Sequence, residues 1–129
     1  MAKVLVVEDD PDIRALVEVR VRRMGHLVVG VGSGQEALTM LAEKGAPDVA
    51  VLDVLMPGMT GLELLSAMRQ NSACRDTPAI FLSGRVQPVD IAAGRAMGAT
   101  YLTKPLVLSA LASAIELALE PAAAADGSW

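Results

Sequence analysis

Three acids stand together at Glu8-Asp9-Asp10, directly behind the aliphatic run Val4-Leu5-Val6-Val7, and a fourth, Asp53, ends a second such run, Val49 to Leu52. Ser83 ends a third run, Ala79 to Leu82, and Lys104-Pro105 follows a fourth, Tyr101 to Thr103. A helix N-terminus, where acids favour the dipole and proline suits the first turn, accounts for Asp10, Pro11 and Asp12. It does not account for Asp53 at the end of a buried strand, because two like charges about 4 Å apart repel by roughly 4 kcal/mol at an effective dielectric near 20. A hard divalent cation such as Mg2+, held by one or two carboxylates, a carbonyl and waters, supplies the compensation, and Lys104 supplies a second positive charge. A desolvated, cation-bound carboxylate faced by a lysine can attack a phosphoryl group. The product is an aspartyl phosphate, whose oxygens Mg2+, Lys104 and the Ser83 hydroxyl would stabilise by position and charge rather than by proton transfer.

These groups can meet only if the runs that precede them are parallel strands sharing one edge. Short apolar runs bounded by turn residues do alternate with segments of helical period, the pattern of parallel strands joined by crossover helices. Five strands are expected, Lys3 to Val7, Leu27 to Val31, Val49 to Leu52, Ala79 to Leu82 and Tyr101 to Thr103. In such a sheet functional groups gather beyond the carboxyl ends of the strands, where these four sets fall.

Between the strands, Ile13, Leu16, Val17, Val21 and Met24 gather on one face of a first helix, which leaves Arg14, Glu18, Arg22 and Arg23 to face water. Ser33-Gly34-Gln35-Glu36 and Thr60-Gly61-Leu62-Glu63 read as capping boxes opening the second and third helices. Gly61, Leu64, Leu65 and Met68 form the buried stripe of the third. The fourth helix, about Pro88 to Met97, carries Gly94, which costs roughly 1 kcal/mol relative to Ala and marks it as the helix expected to move most. The last helix, about Leu106 to Glu120, is polar only at Ser109, Ser113, Glu116 and Glu120, more apolar than one contact with a sheet requires. A partner on its second side, or the helix propensity of alanine, explains the excess equally well. Residues 1–120 are expected to form one domain and 121–129 a flexible tail or linker stump.

Composition narrows the classes. The chain of 129 residues is 53% apolar and 20% charged, which suits one folded domain and excludes a disordered chain. Eleven Lys and Arg against fifteen Asp and Glu give a net charge of −4 with no basic run, so no direct nucleic-acid contact is expected. One cysteine, Cys74, and one histidine, His26, exclude a zinc site and a Cys/His nucleophile. Neither a signal peptide nor an apolar run of spanning length is present in the sequence, so a cytoplasmic protein without membrane contact is expected.

In their order along the chain, Val4-Leu5-Val6-Val7-Glu8-Asp9-Asp10, Asp53-Val54-Leu55-Met56-Pro57-Gly58-Met59-Thr60-Gly61, Leu82-Ser83-Gly84 and Tyr101-Leu102-Thr103-Lys104-Pro105 resemble the motifs of the receiver domains of bacterial response regulators, over about residues 3–120. The resemblance implies an α/β fold, a flavodoxin-like doubly wound (βα)5 arrangement with a parallel sheet in the order 2-1-3-4-5. It implies Asp53 as phosphoacceptor, Asp9 as direct Mg2+ ligand, Glu8 as its water-bridged neighbour and the backbone carbonyl of Leu55 as a further ligand. Ser83 and Lys104 would grip the phosphoryl group, and Tyr101 would be the aromatic that turns inward when the hydroxyl moves onto the phosphate. Leu55 and Arg85 occupy positions that govern how readily water reaches the phosphate in similar receivers, and they suggest a fairly long-lived phosphoryl form. The implied donor is a sensor histidine kinase or a histidine phosphotransfer protein, and the implied activity is self-phosphorylation and dephosphorylation rather than turnover of a separate substrate.

The sequence departs from the family in the short turn Gly98-Ala99-Thr100-Tyr101, which lacks the usual acids, and in Leu106, where an aromatic usually follows Lys-Pro. Both departures weigh against a charge-paired dimer and favour a more hydrophobic homodimer contact through the fourth and fifth helices. Three alternatives differ in single features. A phosphohydrolase of the haloacid dehalogenase type needs an acid where Leu55 stands, a flavin-binding flavodoxin needs a first loop without the acids Glu8-Asp9-Asp10, and a docking-only pseudo-receiver would not need Asp9, Asp53, Ser83 and Lys104 intact. Gly30-Val31-Gly32-Ser33-Gly34 fits no nucleotide-binding spacing and reads as a flexible turn. His26 reads as a helix cap without a catalytic role, and Met56 and Met59 as packing beneath the loop.

Overall fold

The computed structural model describes residues 1–84 and 88–120, apart from the side chains of Pro88 and Asp90. Five strands, β1 (Lys3–Val7), β2 (Leu27–Val31), β3 (Val49–Asp53), β4 (Ala79–Ser83) and β5 (Ala99–Thr103), alternate with five helices, α1 (Pro11–Arg23), α2 (Gly34–Lys44), α3 (Gly61–Gln70), α4 (Pro88–Ala96) and α5 (Leu108–Leu119). The sheet is wholly parallel in the order β2-β1-β3-β4-β5, the flavodoxin-like arrangement expected.

Alternation along the central strands divides the core. Leu5 and Val7 point to the face covered by Met40 and Leu41 of α2 and Leu64, Leu65 and Met68 of α3, while Val4 and Val6 point to the face covered by Val17 and Val21 of α1 and Leu111 and Ile115 of α5. Every residue of β1, β3 and β4 is buried, which is why these three segments read as unbroken aliphatic runs. No helix among the described residues is long and apolar enough to cross a membrane.

Several expectations change in detail. β3 and β4 each run one residue further and take in Asp53 and Ser83, the polar residues expected at their ends. β5 begins two residues earlier, and α4 and α5 are shorter at their ends than expected. Leu16 does not belong to the buried stripe of α1; at 55% exposure it sits roughly 100° around the helix from Val17. Thr60 and Glu63 form a complete capping box, but at α2 only half of one exists, because Ser33 Oγ accepts from Glu36 N while the Glu36 carboxylate accepts from Gly32 N. His26 is not a side-chain cap; its Nδ1 accepts from Ala2 N at 3.1 Å and its Nε2 lies 3.4 Å from Glu116. The apolar excess of α5 is absorbed in part, since Ala114 and Ala118 pack against the core beside Leu111, Ile115 and Leu119, while Leu117 stays 66% exposed.

Gly94 has a steric reason to be glycine. The Tyr101 ring, 5.0 Å from Phe81 between centroids, lies where a Cβ at Gly94 would be, with ring carbons 2.9 Å from that position and the hydroxyl closer still. Gly94→Ala should therefore lower stability by about 1 kcal/mol in denaturant titrations, overpacking of ~1–3 kcal/mol outweighing a helix-propensity gain of ~1 kcal/mol. In a Tyr101→Ala background the same change should instead stabilise. A stabilising effect of Gly94→Ala in the native background would show that the ring does not depend on this clearance.

Candidate functional site

The order of the sheet places β1 and β3 side by side, with the chain turning outward in opposite directions from them. The crevice at their carboxyl ends is where an open α/β sheet presents its functional groups. Val7 pairs with Leu52, so the residues that follow, Glu8 and Asp53, leave neighbouring strands at the same level. One strand further, Asp53 is in register with Leu82, and Ser83 with Thr103. Lys104 N then donates to Ser83 O at 2.7 Å, which fixes the start of the lysine's side chain beside the serine.

Glu8, Asp9 and Asp53 each present a carboxylate oxygen within 4.8 Å of the others. Lys104 Nζ donates to Glu8 Oε1 at 3.2 Å and to Asp53 Oδ1 at 3.3 Å. Glu8 is 1% exposed and Asp53 4%, so two carboxylates are almost withdrawn from water, while Asp9 remains exposed. The loop behind Glu8 is held in part by Asp10 N donating to Glu8 Oε2, and Asp10 caps α1 by accepting from Asp12 N and Ile13 N.

Burial pushes the Asp53 carboxyl up to about 7, helped by its hydrogen bond to Glu8 and the charge of Glu8, and opposed by Lys104. At Asp9 burial acts upward too, but bonds to Glu8 and Asp53 and the charge of Lys104 outweigh it and bring the group below its ordinary value. Burial acts downward on Lys104, yet the charges of Asp53 and Glu8 hold its ammonium above the usual value. One lysine thus faces three acids, a set of oxygen donors in negative excess that suits a hard divalent cation.

Ser83 is buried, and its Oγ has no hydrogen-bond partner among the described residues. A buried hydroxyl without a partner is costly unless a ligand satisfies it. Leu55 lies in the turn two residues beyond Asp53 with its side chain 62% exposed. Tyr101 is half-buried between Phe81 and α4. Arg85 lies outside the described residues, as does the segment 121–129. The sequence pattern singled out Glu8, Asp9, Asp53 and Lys104, and they do come together; it did not reveal Arg14, whose Nη1 donates to Glu8 O at 2.9 Å.

Residues 4–116 match the response regulator receiver domain family. Among curated proteins, the chain is 34% identical to Protein PilG of Pseudomonas aeruginosa, covering 88% of this chain and 84% of that one. It is 36% identical to the transcriptional regulatory protein AfsQ1 of Streptomyces coelicolor over 82% of this chain but only 46% of that one. It spans less than half the length of AfsQ1 and of TrcR of Mycobacterium tuberculosis. Among solved structures, chemotaxis protein CheY4 of Vibrio cholerae superposes with a TM-score of 0.85 at 36% identity, covering 92% of this chain and 99% of that one.

The raised Asp53 value carries a stability consequence. An acid that holds its proton more tightly folded than unfolded makes the folded state bind more protons between the two pKa values, so stability falls as pH rises from about 4 to about 7. Without divalent cations, Asp53→Asn should unfold at a higher denaturant concentration than the native chain at pH 8, by a stability difference on the order of 1 kcal/mol or more. The difference should vanish near pH 4. A less stable Asp53→Asn chain at pH 8 would mean that the acids do not repel one another.

Proposed function

Because the chain belongs to the response regulator receiver domain family, we propose that it accepts a phosphoryl group on Asp53 from a sensor histidine kinase or a histidine phosphotransfer protein. The observation that carries this reading is the Asp53 carboxylate, buried at a strand end, within hydrogen-bond reach of Lys104 Nζ and beside Glu8 and Asp9. That donor set fits Mg2+, which Asp9 and Asp53 would hold through their carboxylates, with Glu8 and the Leu55 carbonyl completing the protein's share. When bound, the cation supplies positive charge against the oxygens of the transferring group.

The remaining steps belong to the chain's own groups. An Asp53 carboxylate oxygen attacks phosphorus, the P–N bond of the donor's phosphohistidine breaks, and the imidazole leaves with the bonding electron pair and takes up a proton. Lys104 Nζ, held charged by the acids around it, moves from Asp53 Oδ1 toward a phosphoryl oxygen. The partnerless Ser83 Oγ donates to another, which satisfies it for the first time. Drawing Ser83 onto the phosphate shifts the segment that follows β4, and Tyr101, seated on α4 at Gly94, follows it, so the population of an altered surface around α4 and β5 rises. Leu55 and Arg85 set how long the phosphoryl group lasts.

The reading extends to partners. Leu16 and Val19 stand 55% and 47% exposed on α1, the helix that leads out of the acidic turn, and offer an apolar footing for a kinase or phosphotransfer helix. A second copy would dock through α4 and α5, where Val107 just ahead of α5 and Leu117 on it are exposed. The domain itself would occupy residues 1–120 and act in the cytoplasm.

Incubation with Mg2+ and a small phosphoryl donor, followed by intact mass measurement, tests the reading. The native chain should gain one phosphoryl group that alkali removes, and Asp53→Asn should gain none. A native chain that stays unmodified, or an Asp53→Asn chain labelled equally, would contradict it.

A further inference from the structure

The acids of the site stand on a turn whose backbone must be held if their carboxylates are to converge. Glu8 N donates to Val31 O at 3.1 Å, which anchors the turn on the side of β2. Asp10 O accepts from Arg14 N at 2.9 Å, which anchors it on the side of α1. Between these two anchors lies the peptide carbonyl of Glu8, and the Arg14 guanidinium reaches back from the first turn of α1 to donate from Nη1 to that oxygen at 2.9 Å. We infer that Arg14 is a positioning residue for the cation site, holding the Glu8 carbonyl and with it the directions in which the Glu8 and Asp9 side chains leave the backbone. The inference rests on the divalent-cation reading of the site.

Three features around Arg14 fit this role. Its side chain is only 26% exposed, so the bond to the Glu8 carbonyl is partly shielded from competing water. Glu18 Oε1 lies 3.8 Å from Arg14 Nε, one turn further along α1. Both side chains lie where the chain carries no side chain, Glu18 over β2 and Arg14 just beyond its end: a Cβ at Gly32 would be 3.0 Å from Arg14 Nη1, and one at Gly30 would meet the Glu18 carboxylate. Gly30, within β2, and Gly32, in the bend that follows it, thus leave clearance for the arginine and its partner.

Charge and position make opposite forecasts. A guanidinium repels a divalent cation, so if Arg14 acted only through its charge, removing it would tighten binding. If it acts by holding the carbonyl, removing it loosens the acids and weakens binding.

Calorimetric Mg2+ titration of the native chain, Arg14→Met and Arg14→Lys, with thermal unfolding of each in chelator, separates these cases. Arg14→Met should bind Mg2+ about tenfold more weakly than the native chain, the lower end of the loss seen when a group that orients metal ligands is removed. Arg14→Lys, which keeps one donor and the charge, should fall between them. A purely structural role would shift unfolding and leave the affinity alone. Native binding with Arg14→Met equal or tighter would overturn the role of Arg14 while leaving the cation site standing; no binding to the native chain would overturn the site and this role with it.

Discussion

Glu8 and Asp53 are carboxylates almost wholly removed from water and set side by side, with Asp9 against them and one ammonium, Lys104, facing the group. Such an arrangement is unfavourable by itself, since burial and mutual repulsion both act against the charged forms. It persists because the carbon framework beneath it is rigid: Val4 to Val7 and Val49 to Leu52 are fully enclosed strands of one sheet, and the acids are the residues at which those strands emerge. On the proposed function, a cation or a phosphoryl group would change this charge balance directly, among side chains that the framework holds in place.

The same sheet carries the consequence outward. Ser83 is tied through its carbonyl to the Lys104 amide, and β4 pairs with β5, so the groups nearest Asp53 share a backbone connection with Tyr101. Tyr101 in turn rests on Phe81 and fills the space that Gly94 leaves on α4. A contiguous set of packed groups thus runs from the strand ends beside the acidic pocket to α4 at Gly94.

How much of this the sequence disclosed depended on the range of the interaction involved. Strand cores are local patterns, and the three unbroken aliphatic runs announced β1, β3 and β4 together with the polar residues at their ends. The chemistry of Glu8, Asp9, Asp53 and Lys104 was legible because residue type and position at a strand end are both local. The sheet order came from resemblance to a known family rather than from the pattern itself. Contacts between elements were not legible. Leu16 looks like a core residue until the packing of α1 on the sheet fixes which side of the helix is covered. Gly94 looks like a weak point in a helix until the Tyr101 ring is seen against it. Gly30 and Gly32 look like a loose turn until Glu18 and Arg14 are laid across them, and the Arg14 bond to the Glu8 carbonyl leaves no trace in residue spacing.

Glu8, Asp9, Asp53 and Lys104, distant along the chain, form one pocket, and the proposed function requires that it take a divalent cation. A Mg2+ titration of the 15N-labelled chain, followed at the backbone amides, measures this most directly. Saturable shifts confined to Glu8 through Asp10, Asp53 through Leu55, Ser83 and Lys104, absent at Asp48 ahead of β3 and lost in Asp53→Asn, are the predicted result. Shifts scattered over exposed acids such as Glu36 and Glu43, or none in the native chain, would contradict it.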